Sequence, residues 1–215
     1  AVVDTQSYAI TLDLNRGAEV FGSRTVVRFT ATEGASTFID LIAREVREIT
    51  LNGRSVDPAV AFADSRIALD GLAATNELVV DADGVYTNTG EGLHRFVDPV
   101  DGEVYLYSQF EVPDSRRVFA VFEQPDLKAE FQFTVTAPAA WKVISNSPTP
   151  EPEAGDDGTA TWTFEPTPRI SSYITALVAG PYEATYSELT SASGRVIPLG
   201  VFARKSLWQH LDADY

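Results

Sequence analysis

Hydrophobic and polar residues alternate along most of this chain with a period of two. Every second residue of Ser7–Leu14 is apolar, and Ala129–Thr136 shows the same alternation. Because successive side chains of a β-strand point to opposite faces, this pattern predicts strands with one buried face. It predicts further strands at Arg24–Thr30, Glu48–Leu51, Arg66–Leu69, Glu77–Val80, Val104–Gln109, Trp141–Ser145, Ala160–Phe164, Ile174–Val178 and Arg195–Ala203.

Turn-forming dipeptides separate the predicted strands, whereas only Asp114–Phe119 and the segment after Lys205 have helical character. Many short strands with regular turns are typical of an antiparallel β-sandwich or a curved sheet. The sequence therefore predicts an all-β fold with little helix. The turn signals are Asn52-Gly53, Asp70-Gly71, Asp83-Gly84, Asp101-Gly102 and Gly155–Gly158.

Composition indicates one globular domain with few possible classes of partner. The chain has 215 residues, of which 44% are hydrophobic, enough for one core. Its net charge of −15 disfavours nucleic acid and anionic lipid, and no apolar run is long enough for a membrane span. With no cysteine, it cannot form disulfides or iron–sulfur clusters. We expect a cytoplasmic protein with no nucleic-acid or membrane partner.

We expect the chain to be a piece of a longer protein. It contains no methionine, and its last residues resemble a helix that has only begun. Ser206 could cap that helix, and Leu207 and Leu211 lie one turn apart. We therefore predict a β domain over residues 1–205 and the start of a linking helix over residues 206–215.

Catalytic motifs are missing from the sequence. A hydrolytic zinc site needs two or three histidines at defined spacing, but the chain has only His94 and His210, neither in a His-Glu-x-x-His pattern. A serine nucleophile elbow is also absent. Asp98 and Asp101 are expected to lie in a solvated turn. The sequence thus predicts no catalytic residue and no metal or cofactor site in this chain.

The segment Tyr105–Phe133 contains four short motifs in a fixed order. They are Gln109-Phe110-Glu111, Arg116-Arg117, Phe122-Glu123-Gln124-Pro125 and Lys128-Ala129-Glu130-Phe131. In this order the motifs resemble the signature of the N-terminal domain of the aminopeptidase N family of zinc exopeptidases, in its bacterial branch. The resemblance extends to Ser145–Pro148, Ile170–Ile174 and Gly180–Tyr182. Ala120-Val121 departs from it, because the family often has Pro-Cys there.

The resemblance implies that Gln109 and Glu111 bind the free amino end of a peptide substrate. Residues two apart in an extended segment point to the same side, so both polar groups can project together while Phe110 turns inward. At neutral pH the substrate's ammonium would meet the Glu111 carboxylate in a charge-assisted hydrogen bond. Arg116 and Arg117 are expected to brace this loop through Asp114 or Glu123. Tyr105 and Tyr107 are expected to pack across strands.

The resemblance also implies what the rest of the protein would supply. Zinc, the general base and the other wall of the site would belong to a following catalytic domain, which is the main partner of this saddle-shaped β domain. Two alternatives stay open. In the first, the fold serves in a non-catalytic scaffold that has lost the zinc motif; in the second, the chain is a stand-alone module that binds carbohydrate or peptide.

Overall fold

The structure is a computed structural model that describes residues 2–211. It contains many strands and two four-residue helices, α1 (Pro58–Ala61) and α2 (Lys205–Trp208). The strands are β1 (Val3–Asp13), β2 (Val20–Ala31), β3 (Thr37–Asp40), β4 (Glu45–Leu51), β5 (Arg54–Val56), β6 (Phe62–Ala63), β7 (Arg66–Leu69), β8 (Thr75–Val85), β9 (Gly92–Val97), β10 (Val104–Gln109), β11 (Glu130–Pro138), β12 (Lys142–Ser145), β13 (Glu153–Ala154), β14 (Thr159–Thr163), β15 (Leu177–Gly180), β16 (Glu183–Thr190) and β17 (Val196–Ala203). The predicted all-β class is confirmed.

The largest sheet has eight strands in the order β13-β14-β11-β1-β2-β8-β4-β5. Its core-facing positions follow the predicted alternation: Tyr8, Ile10 and Leu12 of β1 are each at most 1% exposed. One strand pair of this largely antiparallel sheet departs from the general arrangement, because β1 and β11 run parallel. The two strands lie far apart in sequence. The long connection between them therefore has room to bring the chain back in the same direction, as parallel pairing requires.

A second sheet has four strands in the order β12-β15-β10-β9, and it shares one hydrophobic core with the large sheet. Phe119, from the segment that follows β10, lies at the centre of this core. Its ring packs against Tyr8, Phe110 and Phe133 with centroid separations of 6.4, 5.9 and 5.9 Å. Aromatic packing therefore anchors the segment that carries the predicted site to the hydrophobic core.

Two smaller sheets complete the fold. β3, β7 and β6 form a three-stranded sheet, whereas β16 and β17 form a hairpin on their own. Most hairpin residues are exposed on both faces, including Tyr186 and Leu199. A two-stranded hairpin with no covered face is marginally stable by itself.

The structure corrects four local predictions. Asp83-Gly84 is not a turn, because β8 continues through it to Val85; Gly84 lies so close to Phe21 that a Cβ would be 2.3 Å from the ring. Ile174–Val178 is a strand only from Leu177 onward, after a short 3-10 helix. Asp114–Phe119 holds one 3-10 turn, Ser115–Arg117.

The fourth correction concerns the terminal helix. Arg204, and not Ser206, occupies the N-cap position of α2. The predicted continuation of this helix over residues 212–215 lies outside the described residues. Within residues 2–211 both helices are far too short to cross a membrane.

Candidate functional site

Gln109 and Glu111 stand on either side of a buried aromatic anchor. β10 ends at Gln109, which pairs with Gly92 of β9, and both Gln109 and Glu111 are exposed. Phe110 between them is 2% exposed and packs edge-on against Phe119. The predicted inward turn of Phe110 is thus observed. Glu111, however, lies just beyond the strand, as the first residue of a turn.

The polar groups of these two side chains face solvent without a partner in the described part of the chain. Neither side chain makes a hydrogen bond or ion pair within residues 2–211, whereas the charged residues around them are engaged. The Arg116 Nε donates to the Pro113 carbonyl at 2.9 Å, and the Arg117 guanidinium holds Asp114. The Glu111 carboxylate therefore remains available to a cation from outside the chain.

Glu123 is a half-buried carboxylate behind this turn. It accepts hydrogen bonds from the Arg116 backbone N–H at 2.8 Å, the Ser115 hydroxyl at 3.0 Å and the Ser172 hydroxyl at 2.9 Å. Burial raises the pKa of Glu123, and these hydrogen bonds offset part of the rise. The expected contact with Arg116 exists, but it is made by the backbone. Glu123 thereby ties Ser115–Arg117 to the short 3-10 helix Ser172–Ile174.

Arg117 makes the brace that the sequence predicts, together with a contact that it does not. Its Nε donates to Asp114 Oδ1 at 2.6 Å, which confirms the expected pair. Its Nη2 lies 3.0 Å from Glu91 Oε2, in the loop that precedes β9. The sequence contains no signal for this second contact, because it depends on β9 and β10 lying side by side.

His94, Tyr105 and Tyr107 lie on the neighbouring strands. Tyr107 stands opposite His94, and their rings stack with centroids 4.7 Å apart, as cross-strand packing predicts. His94 Nδ1 accepts a hydrogen bond from the Gly90 N–H at 2.9 Å. Both tyrosines also line an open cleft of about 450 Å³, which corrects the expectation that they only pack. Other residues of the cleft are Phe96, Tyr182, Phe202 and Leu207.

Asp98 is not the solvated turn residue that the sequence suggests. It is 2% exposed and accepts hydrogen bonds from Arg204 Nη1 at 2.9 Å and from the Ser206 hydroxyl at 2.6 Å. These contacts and the Val100 N–H hold the pKa of Asp98 below its usual range. Asp101, by contrast, accepts the Tyr105 hydroxyl at 2.8 Å. The turn thus fastens the segment that follows β17.

The residues that the structure describes do not fit a zinc ion. Within residues 2–211 there is no cluster of three or more histidine, cysteine, aspartate or glutamate side chains able to hold a metal. His94 is 9% exposed and engaged on one ring nitrogen, and His210 is exposed near the far end of the described chain. A structural or catalytic zinc site needs three or four converging ligands. No step of chemistry is therefore assigned to a metal in this chain.

Comparison with known proteins connects the chain to aminopeptidases. It is 58% identical over 217 residues to an aminopeptidase N of Streptomyces lividans, covering 99% of this chain and 25% of that protein. It is 28% identical over 178 residues to a probable aminopeptidase 1 of Saccharolobus solfataricus, covering 83% of this chain and 22% of that protein. The chain thus spans about a quarter of the length of these relatives.

The fold and the family agree. A crystal structure of Legionella pneumophila aminopeptidase A in complex with aspartic acid superposes with a TM-score of 0.86 at 16% identity, over 98% of this chain and 25% of that one. At this identity the match shows the fold alone. The sequence profile of the Peptidase M1 N-terminal domain matches residues 4–174, most of the chain. With its motifs, fold and sequence in agreement, the chain belongs to the Peptidase M1 N-terminal domain family.

Proposed function

We propose that this domain holds the free amino end of a peptide while the rest of a zinc aminopeptidase removes the N-terminal residue. Glu111 is the anchor for the α-ammonium group, and Gln109 is a second acceptor beside it. The observation that carries this assignment is the exposed, unpartnered pair on either side of buried Phe110. The neighbouring arginines, which could neutralise Glu111, are bound to other groups.

The chemistry follows from the charge of the two groups. A peptide's α-amine titrates near pH 8 and a glutamate near 4.3, so at neutral pH they meet as ammonium and carboxylate. A hydrogen bond between charged groups shielded from water contributes about 1.5–3 kcal/mol, or roughly ten- to a hundredfold in affinity. An internal peptide bond offers no ammonium and would leave the carboxylate desolvated, which favours exopeptidase over endopeptidase action.

The remaining parts of the proposal concern the whole protein. The relatives are named as aminopeptidases and are about four times as long as this chain, which leaves room for a domain that carries zinc and the general base. We assign residues 1–205 to the β domain, because Asp98 binds Arg204 and Ser206 at its edge. We also propose a cytoplasmic location without nucleic-acid or membrane partners, in keeping with the net charge of −15.

The test is kinetic and uses the full-length enzyme. Glu111→Ala and Glu111→Gln should each lower kcat/KM on an aminoacyl amide by about ten- to a hundredfold, because the ammonium loses its charged partner. Glu33→Gln removes another exposed carboxylate that has no partner in the described chain, and it should leave kcat/KM unchanged. A loss of less than about threefold in both Glu111 variants would remove Glu111 from its assigned role.

A further inference from the structure

Arg117 connects the three segments that meet at the candidate site. Its Nε donates to Asp114 Oδ1 at 2.6 Å, at the end of the turn that begins with Glu111. Its Nη2 lies 3.0 Å from Glu91 Oε2, in the loop before β9. One guanidinium therefore bridges two carboxylates that are far apart in sequence.

The aliphatic part of Arg117 makes the third connection. Gly92 has a positive φ of 62°, and a Cβ built on it would lie 2.8 Å from the Arg117 Cβ and 3.0 Å from its Cδ. A larger residue at position 92 would have to displace the arginine, besides adopting a backbone conformation that side chains disfavour. Gly92 is the residue that pairs with Gln109 across β9 and β10. The stem of Arg117 thus lies against the partner of Gln109.

The neighbouring Arg116 has different contacts from Arg117. Its Nε donates to the Pro113 carbonyl within the same turn, and its Nη1 lies 3.9 Å from Asp40. It makes no contact with the loop before β9 within hydrogen-bonding distance in the described chain. Of the two arginines, it is Arg117 that joins the turn carrying Glu111 to the loop and strand that pair with Gln109.

The two halves of the Arg117 bridge differ in exposure: Glu91 is 52% exposed, whereas the Asp114 half is better shielded than an ordinary surface ion pair. The side chains of Arg117 and Asp114 are 30% and 13% exposed, and the contact with Asp114 is short. A guanidinium can hold two carboxylates in a fixed fork geometry, which a lysine ammonium cannot do. Together with buried Phe110 and the Glu123 hydrogen bonds, this side chain therefore helps to set the orientation of the Glu111 turn relative to Gln109.

We propose that Arg117 is a positioning residue for recognition of the substrate's α-amine, acting through Glu111 and Gln109 without touching the substrate. This inference rests on the proposed function and deepens it. Releasing Arg117 would let the turn move relative to β9, and a misplacement of about 1 Å in a binding group can cost about a hundredfold in rate. The loss should appear only when the Glu111 carboxylate is present to be positioned.

A double-mutant cycle in the full-length enzyme tests the coupling. Arg117→Ala should lower kcat/KM on an aminoacyl amide by about tenfold, and by less than about twofold when Glu111→Gln is already present. Arg117→Lys should recover only part of the loss, because it cannot fork to Asp114 and Glu91. Multiplicative losses in the double variant would overturn the positioning role. If Glu111→Gln alone has no effect, the proposed function fails instead.

A second measurement separates positioning from general loosening of the fold. Arg117→Ala should weaken an amino-acid hydroxamate inhibitor about tenfold but leave the matching inhibitor without the α-amine within about twofold. Equal weakening of both inhibitors would contradict the proposal. Arg28→Ala is the matched control, because it breaks an exposed ion pair with Glu77 on the large sheet and should change neither.

If Arg117→Ala does not fold, Glu91→Gln tests the same bridge from its other end. This change removes the charge that holds Nη2 and leaves the Asp114 contact in place. We expect a smaller loss of kcat/KM, about threefold, which again disappears in the Glu111→Gln background. A loss that persists there would count against positioning.

Discussion

At the scale of single residues, two glutamates twelve positions apart have opposite surroundings. Glu111 is exposed and has no partner in the described chain, whereas Glu123 is half-buried and accepts three hydrogen bonds. The sequence shows both simply as acids, so it could indicate their roles only through resemblance to a family. Burial distinguishes a carboxylate that is free to bind a cation from one that organises the loop behind it.

Glu123 gives a prediction about pH. Because its folded pKa is raised above the ordinary value of 4.5, the folded protein binds this proton more tightly than the unfolded chain does. Its contribution to the free energy of unfolding is therefore greatest below pH 4.5 and is lost as the pH rises through the raised folded value. Glu123→Gln cannot titrate. The free energy of unfolding, measured with urea at pH values from about 4 to about 7, should fall less with rising pH in this variant than in the wild type. Parallel curves would contradict this assignment.

At the scale of elements, alternation predicts the main strands that have one buried face, and it also predicts the largely exposed β17, but it overlooks the partner strand β16. β1, β2 and β11 are found where the pattern places them, although their ends differ by a few residues. β16 was not predicted, because most of its positions are exposed and polar residues occupy both faces. A strand without a buried face has no reason to alternate, so only its hydrogen-bonded partner reveals it.

The exposure of the β16–β17 hairpin predicts where the 215-residue chain should open locally in solution. β1 lies within the large sheet between β2 and β11, whereas β16 has β17 as its one partner strand in the described chain. Amides of β16 and β17 should exchange with solvent at least about tenfold faster than those of β1, because local opening exposes little apolar surface. Hydrogen exchange followed by mass spectrometry measures this difference. Equal protection of the two regions would contradict it.

At the scale of the whole molecule, the proposed function gives this chain the acceptor side of a site whose chemistry would belong to another part of the protein. The chain covers about a quarter of its relatives' length, and residues 2–211 hold no metal-binding cluster. Under the proposal, zinc and the general base would come from a part of the protein other than this chain. In the same proposal, residues of both this domain and the catalytic domain would line the substrate pocket and set the substrate preference.

The 215-residue chain by itself should neither cleave an aminoacyl amide nor bind zinc stoichiometrically. Its two histidines do not converge with other ligands in the described residues. Titration calorimetry with zinc should show no equivalent bound more tightly than about 1 μM, or about −8 kcal/mol. One equivalent bound below that concentration would show that the chain has a metal site of its own. The full-length enzyme provides the positive control for activity.

The sequence by itself determined the all-β class, the burial of Phe110 between two polar residues and the absence of a zinc motif. Each of these depends on neighbours along the chain, where the two-residue period of a strand acts directly. Only the tertiary structure decided the parallel pairing of β1 with β11, the clamp of Asp98 on Arg204 and the bridge from Arg117 to Glu91. These contacts depend on the order in which strands meet, and alternation carries no information about that order.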